Sequence, residues 1–123
     1  MNHSEPAFPF FIATPARQLS AEERETVLKL LEAADSEFSE QVTNLRVVGR
    51  CGCGHCPTVF FEPHEPSVHE HDLSAYTGTD KVGGIVGAVL MQRQGRLSEL
   101  EYFSVDGHDP WYPPAAKDLA PHV

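Results

Sequence analysis

Long hydrophobic runs are missing from this sequence. The longest, Ile85 to Met91, is seven residues with Gly87 inside it, far short of the roughly 20 apolar residues a helix needs to cross a bilayer. Basic charge is equally scarce: nine Lys and Arg stand against eighteen Asp and Glu, a formal charge of -9. Such a surface repels phosphate backbones and anionic head groups, so nucleic acid and membrane are not expected partners. No basic stretch precedes the short apolar segment Phe8 to Ala13, which contains Pro9 and runs into Pro15. It does not read as a signal peptide, and a cytoplasmic location is expected. The Walker and dinucleotide-binding glycine patterns are both missing.

What is present is the composition of an ordinary folded chain. At 123 residues, 41% hydrophobic and 22% charged, the sequence suits one domain spanning 1–123 with a single packed core. Residues 1–19 are rich in Pro and Phe and show no sustained period, the texture of an extended arm docking its aromatics on the body. Ser20 and Glu23 form a capping box, and Val27, Leu31, Ala34 and Phe38 recur at helical spacing behind it. An amphipathic helix over 21 to about 37 follows.

From Val42 onward β-branched and aromatic residues come in short runs between Gly, Pro, Asn and Asp, which predicts strands at Leu45–Arg50, Thr58–Glu62, Gly84–Gln92 and Leu97–Val105. Gln94 and Gly95 suit a tight antiparallel hairpin between the last two. The stretch 63–83 is polar, with glycines, prolines and three histidines, and reads as a mobile loop. The tail 106–123 is irregular, with Trp111 anchoring it. The expected fold class is α+β: one N-terminal amphipathic helix packed on an antiparallel sheet of about four strands.

Chemistry concentrates in Arg50-Cys51-Gly52-Cys53-Gly54-His55-Cys56-Pro57. Three thiols within six residues, spaced by glycines, suit a zinc ion, which takes four tetrahedral ligands from thiolate and imidazole. Cys51, Cys53 and Cys56 are the candidate ligands, with the fourth from His55 or from His64, His69 or His71. The alternative is a glycine-rich turn whose cysteines pack as small, weakly polar hydrophobes. His69 to Asp72 also reads as a solvated loop, as do the tail histidines His108 and His122. Glu99 and Glu101 read as carboxylates wetting an exposed strand face. Phe10, Phe11, Trp111 and Tyr112 read as docked on the core.

Cys53-Gly54-His55-Cys56 matches the active tetrapeptide of protein disulfide isomerases, members of the thioredoxin-like family. That resemblance implies Cys53 as attacking thiol, at a helix N-terminus, and Cys56 as resolving thiol. The residues that follow, Pro57 to Pro63, read instead as a strand ending in proline. More loosely, Arg50 to Val59 together with Gly95 to Glu101 is similar to small bacterial proteins carrying a Cys-Gly-Cys-Gly turn before a strand. In that group the third cysteine follows the glycine directly, so His55 reads as an insertion, and the resemblance implies no activity. Three functions are therefore expected in order: a non-catalytic cytoplasmic binding or regulatory protein, immunity-like, engaging a protein partner; a zinc-binding domain with a cysteine-rich turn; and a thiol-disulfide oxidoreductase.

Overall fold

The structure is a computed structural model and describes residues 11–65 and 67–121. Seven strands, β1 (Phe11–Gln18), β2 (Arg46–Cys51), β3 (Val59–Phe60), β4 (His71–Thr79), β5 (Ile85–Arg93), β6 (Arg96–Ser104) and β7 (Ala120–Pro121), form one sheet. Its order is β1-β2-β3-β6-β5-β4-β7, and every neighbouring pair is antiparallel. Two short helices, α1 (Ala21–Leu30) and α2 (Ser36–Ser39), complete the α and β elements. The expected one-helix, four-strand α+β arrangement is thus corrected to a mostly β fold.

Three strands account for the difference. β1 lies in the supposed arm, β4 in the supposed 63–83 loop and β7 in the supposed irregular tail. β4 has one buried residue, Tyr76, so its sequence shows no alternation of apolar and polar positions. The backbone of β5 recruits it, pairing it from His71↔Gln92 to Thr79↔Ile85, and this tertiary pairing overrides weak local preference.

The helix is shorter than its apolar stripe suggests. Its start is as expected: Ser20 Oγ accepts the Glu23 N–H at 3.0 Å while the Glu23 carboxylate accepts the Ser20 N–H at 2.8 Å. The end tightens: the Leu31 N–H is shared between Val27 and Leu28 carbonyls, and Glu32 and Ala34 bond only three residues back. Asp35 is then extended, with φ -62° and ψ 146°, because short polar side chains favour breaks and caps over helix interiors.

The expected β5–β6 hairpin forms, turning on Gln94 and Gly95 at φ 54° and 81°. Both positions are left-handed, which a two-residue hairpin of this kind demands. β3 spans only two residues, yet side chains prolong its ladder with β6. Thr58 Oγ accepts the Tyr102 N–H at 3.0 Å. At the other end the Gln41 side chain accepts from the Leu97 N–H at 2.9 Å and donates to the Gly95 carbonyl at 2.8 Å.

The core lies between α1 and one face of the sheet. Val27, Leu30 and Leu31 cluster with Val47, Val59, Val86, Ala88, Leu90, Leu100 and Tyr102, and Trp111 packs against this cluster from the tail. Each fully buried aliphatic of this kind contributes about 1.5–3 kcal/mol of apolar burial. On the opposite face Phe11 meets Phe60 edge-on at 5.0 Å, as expected of a docked arm, while Phe10 lies outside the described residues. Gly49 sits so close beneath Phe11 that a Cβ there would meet its ring at 2.1 Å. Among the described residues no helix is long and apolar enough to cross a membrane.

Candidate metal centre

β2 ends at Cys51 and β3 begins at Val59, and the chain between them folds back as an irregular turn. Gly54 makes the reversal with φ 81°, a conformation side-chain-bearing residues rarely adopt, and its N–H donates to the Cys51 carbonyl at 3.3 Å. The reversal gathers Cys51, Cys53 and Cys56, whose sulfurs all lie within 4.8 Å of one another. They sit close enough to hold one metal ion. All three are free thiols and half-buried.

Backbone dipoles point at this cluster. The Cys53 N–H donates to Cys51 Sγ at 3.5 Å, and the Cys56 N–H to Cys53 Sγ at 3.2 Å. Such N–H···S contacts favour negative charge on sulfur, as the outer shell of a thiolate site does. Burial works to raise the Cys53 thiol, but hydrogen bonds from the His55 and Cys56 backbone and from the neighbouring thiols outweigh it, and Cys53 falls to about 6. Burial dominates at Cys51, which is pushed up to about 12, since its contacts with the Cys56 and Cys53 side chains favour the neutral form. Within the cluster, Cys53 is thus favoured over Cys51 as the thiolate.

The structure does not bring the candidate histidines to the sulfurs. His55 Nδ1 lies 3.1 Å from the Cys53 carbonyl, within the turn. His64 follows β3 away from the turn and faces Phe60. His69 and His71 meet edge-to-face, ring centroids 4.3 Å apart, where the chain enters β4. The register runs Gly49↔Phe60↔Glu99↔Met91↔Asp72 across the sheet. His71 is thus four inter-strand steps, about 19 Å, from the strand that ends in Cys51. Among the described residues no His, Asp or Glu joins the sulfur group. Cys53 also opens no helix, so the helix N-terminus on which the disulfide isomerase resemblance depends is not found behind it.

Two further clusters were not foreseen. His108, expected to be solvated, is held between Asp80, 2.9 Å from Nε2, and Asp106 at Nδ1, with Ser104 Oγ 3.2 Å from that same nitrogen. Ser104, His108 and Asp80 have the partners of a hydrolytic triad but not its chemistry. The hydrogen bond to Asp80, opposed by burial and reinforced by Asp106, raises His108, and with a carboxylate at each ring nitrogen neither is left free to take a proton from serine. Asp80 feels burial upward, but bonds from His108 and from the Tyr112, Gly84 and Val82 N–H groups hold it well below the usual carboxylate range. The cluster is a clamp fastening the 106–113 segment to the β4–β5 hairpin. Asp-Gly-His-Asp in the tail is no distinctive signal, because its partner Asp80 is 28 residues away.

Glu99, expected to be wet, is 3% exposed. A bulge that inserts Ser98 between the Met91↔Glu99 and Gln92↔Leu97 pairs brings it beside Glu70. Burial first, then repulsion from Glu70 and Glu101, pushes the Glu99 carboxyl up to about 8, despite Arg93 nearby. Arg93, also 3% exposed, lies 3.5 Å from Glu70 and 3.7 Å from Glu62. Ser98 Oγ donates to Glu70 at 2.6 Å. The carboxylates, Ser98 and the Arg93 terminal nitrogens face one another here, while Arg93 Nε is buried without a hydrogen-bond partner.

Comparison of the chain with protein-family models, with curated proteins and with solved structures yields no match.

Proposed function

We propose that this chain is a zinc-binding domain in which Cys51, Cys53 and Cys56 are the protein ligands. The observation that carries this reading is the approach of all three sulfurs to within 4.8 Å of one another on a glycine-shaped turn. Zinc takes thiolate readily and completes a tetrahedron with water or another small ligand when the protein supplies three donors. Two N–H···S contacts support the charge such binding requires. Elemental analysis and thiol titration of the reduced, gently purified chain test the reading together. About one equivalent of zinc with all three thiols protected is expected, and less than about half an equivalent overturns it.

A second reading, a partner-binding protein, is favoured by one feature of the surface. Ile85, Phe103 and Val105 share the sheet face opposite α1 and are each more than 40% exposed, with Val82 nearby in sequence and also exposed. Exposed apolar groups clustered this way, on an acidic chain, suit a protein contact. Affinity capture with wild type and with Phe103→Ser tests it: a stoichiometric partner lost in the variant is expected, and equal capture by both rejects the role of this face.

A further inference from the structure

Three donors, and no fourth among the described residues, leave one position of a tetrahedral ion to an outside ligand and make a complete set for an ion that is three-coordinate by its own electronic structure. Trivalent arsenic is such an ion: its lone pair occupies the fourth direction, and it prefers soft sulfur over oxygen or nitrogen ligands. We infer that the Cys51, Cys53 and Cys56 sulfurs form a capture site for trivalent arsenic, taken up from its neutral trihydroxide in water. The inference rests on the reading of these cysteines as one metal centre and names the class of ion whose geometry fits the donors.

The exchange balances without an oxidant or reductant. Three As–O bonds break and three As–S bonds form; each cysteine gives up its S–H proton, or in the case of an ionised cysteine the solvent supplies one, and three hydroxyl groups leave as three waters. Arsenic stays trivalent and sulfur keeps its oxidation state. The turn is suited to receive the ion. Gly52 and Gly54 interleave the thiols and present no side chain over them, and no disulfide consumes a sulfur. The neutral trihydroxide also meets no barrier from the charge of -9, which would repel an anionic oxyacid.

Because the three sulfurs act as one chelate, each should matter. Losing one arm of a three-armed chelate removes the effective concentration it supplied, a loss of about a hundredfold in affinity. The experiment titrates the reduced, metal-free full chain with arsenite, reading bound arsenic by intact mass and remaining thiols by colorimetric titration. It is repeated with Cys51→Ser, Cys53→Ser, Cys56→Ser and, as a control distant from the site, His69→Ala. One arsenic per chain with all three thiols consumed is expected, with the hundredfold loss in every cysteine variant and none in the histidine variant. Consumption of only two thiols, or a cysteine variant that binds as tightly as wild type, overturns the inference, and thermal melts that match wild type exclude unfolding as the reason for a loss. A parallel zinc titration separates the two readings. Zinc bound but arsenic refused sinks this inference alone, arsenic bound but zinc refused sinks the zinc assignment alone, and refusal of both sinks both.

Discussion

Nε2 of His108 lies 2.9 Å from Oδ2 of Asp80, a carboxylate whose side chain is fully buried. The pair ties a residue of the tail to the end of β4, and its strength depends on both groups being charged. Asp80 is depressed in the folded chain, so its contribution is present above the unfolded aspartate value and lost as pH falls through the folded one. His108 is raised, so its contribution is complete below the unfolded histidine value and lost as pH rises through the folded one. The clamp is therefore strongest in weak acid. His108→Gln should lower the melting temperature most near about pH 5 and progressively less toward about pH 9. A deficit of constant size across that series would exclude the charged clamp.

Gly84 faces the same ring. A Cβ at this position would lie 1.9 Å from the His108 ring atoms Cε1 and Nε2, and the ring is held at both nitrogens and cannot swing aside. Gly84→Ala should cost about 1–3 kcal/mol in urea unfolding, in the range of overpacked cores. Val82→Ala, at a 56% exposed position, should stay within about 0.5 kcal/mol of wild type. Similar small effects from both substitutions would show that the ring can yield.

Glu99 shifts stability in the same direction as His108, since both bind a proton more tightly in the folded chain. Its carboxyl, pushed from 4.5 to about 8 in the fold, keeps a proton that the unfolded chain releases. The folded state thus binds more protons across this range, and stability falls as pH climbs from about 4.5 to about 8. Glu99→Gln, a neutral isostere, should flatten that fall, gaining on the order of 1–3 kcal/mol relative to wild type at about pH 8 but little at about pH 4. Chemical denaturation at both pH values measures it, and parallel losses in the two proteins would contradict a buried, protonated Glu99.

Thr58 offers a test of how β6 is held. Its hydroxyl accepts the buried Tyr102 N–H at 3.0 Å where β3 supplies no backbone partner. Thr58→Val preserves the shape and strands the amide, so a loss of about 1–3 kcal/mol is expected, together with faster hydrogen exchange at Tyr102. Unchanged exchange there would mean the hydroxyl is dispensable.

These tests fall on residues whose roles were unevenly legible in the sequence. The Ser20–Glu23 cap, the Gln94–Gly95 turn and the clustering of three cysteines depend on residues close together in the chain, and local spacing is enough to read them. β4 is different: with Tyr76 its only buried residue, its conformation comes from the neighbouring strand. The His108 clamp and the burial of Glu99 join segments separated by 28 and 29 residues, respectively to Asp80 and Glu70. No periodicity announces such a meeting. The same separation holds for His69 and His71, which are near the cysteines in sequence while the strand that His71 opens lies four places from β2 in the sheet.

The brevity of β3 sets the mechanics of the cysteine turn. Two ladder pairs, Gly49↔Phe60 and Arg50↔Val59, join β2 to β3, and two, Val59↔Leu100 and Phe60↔Glu99, join β3 to β6, flanked there by the Thr58–Tyr102 and Phe61–Ser98 hydrogen bonds. The β1–β2 ribbon is thus hinged to the rest of the sheet along a narrow seam and should breathe ahead of global unfolding. Cys51 rides on that ribbon while Cys53 and Cys56 lie between it and the seam. An ion bound across them would act as a rivet, slowing the ribbon's opening, and the frequency of that opening would in turn govern how fast the ion exchanges.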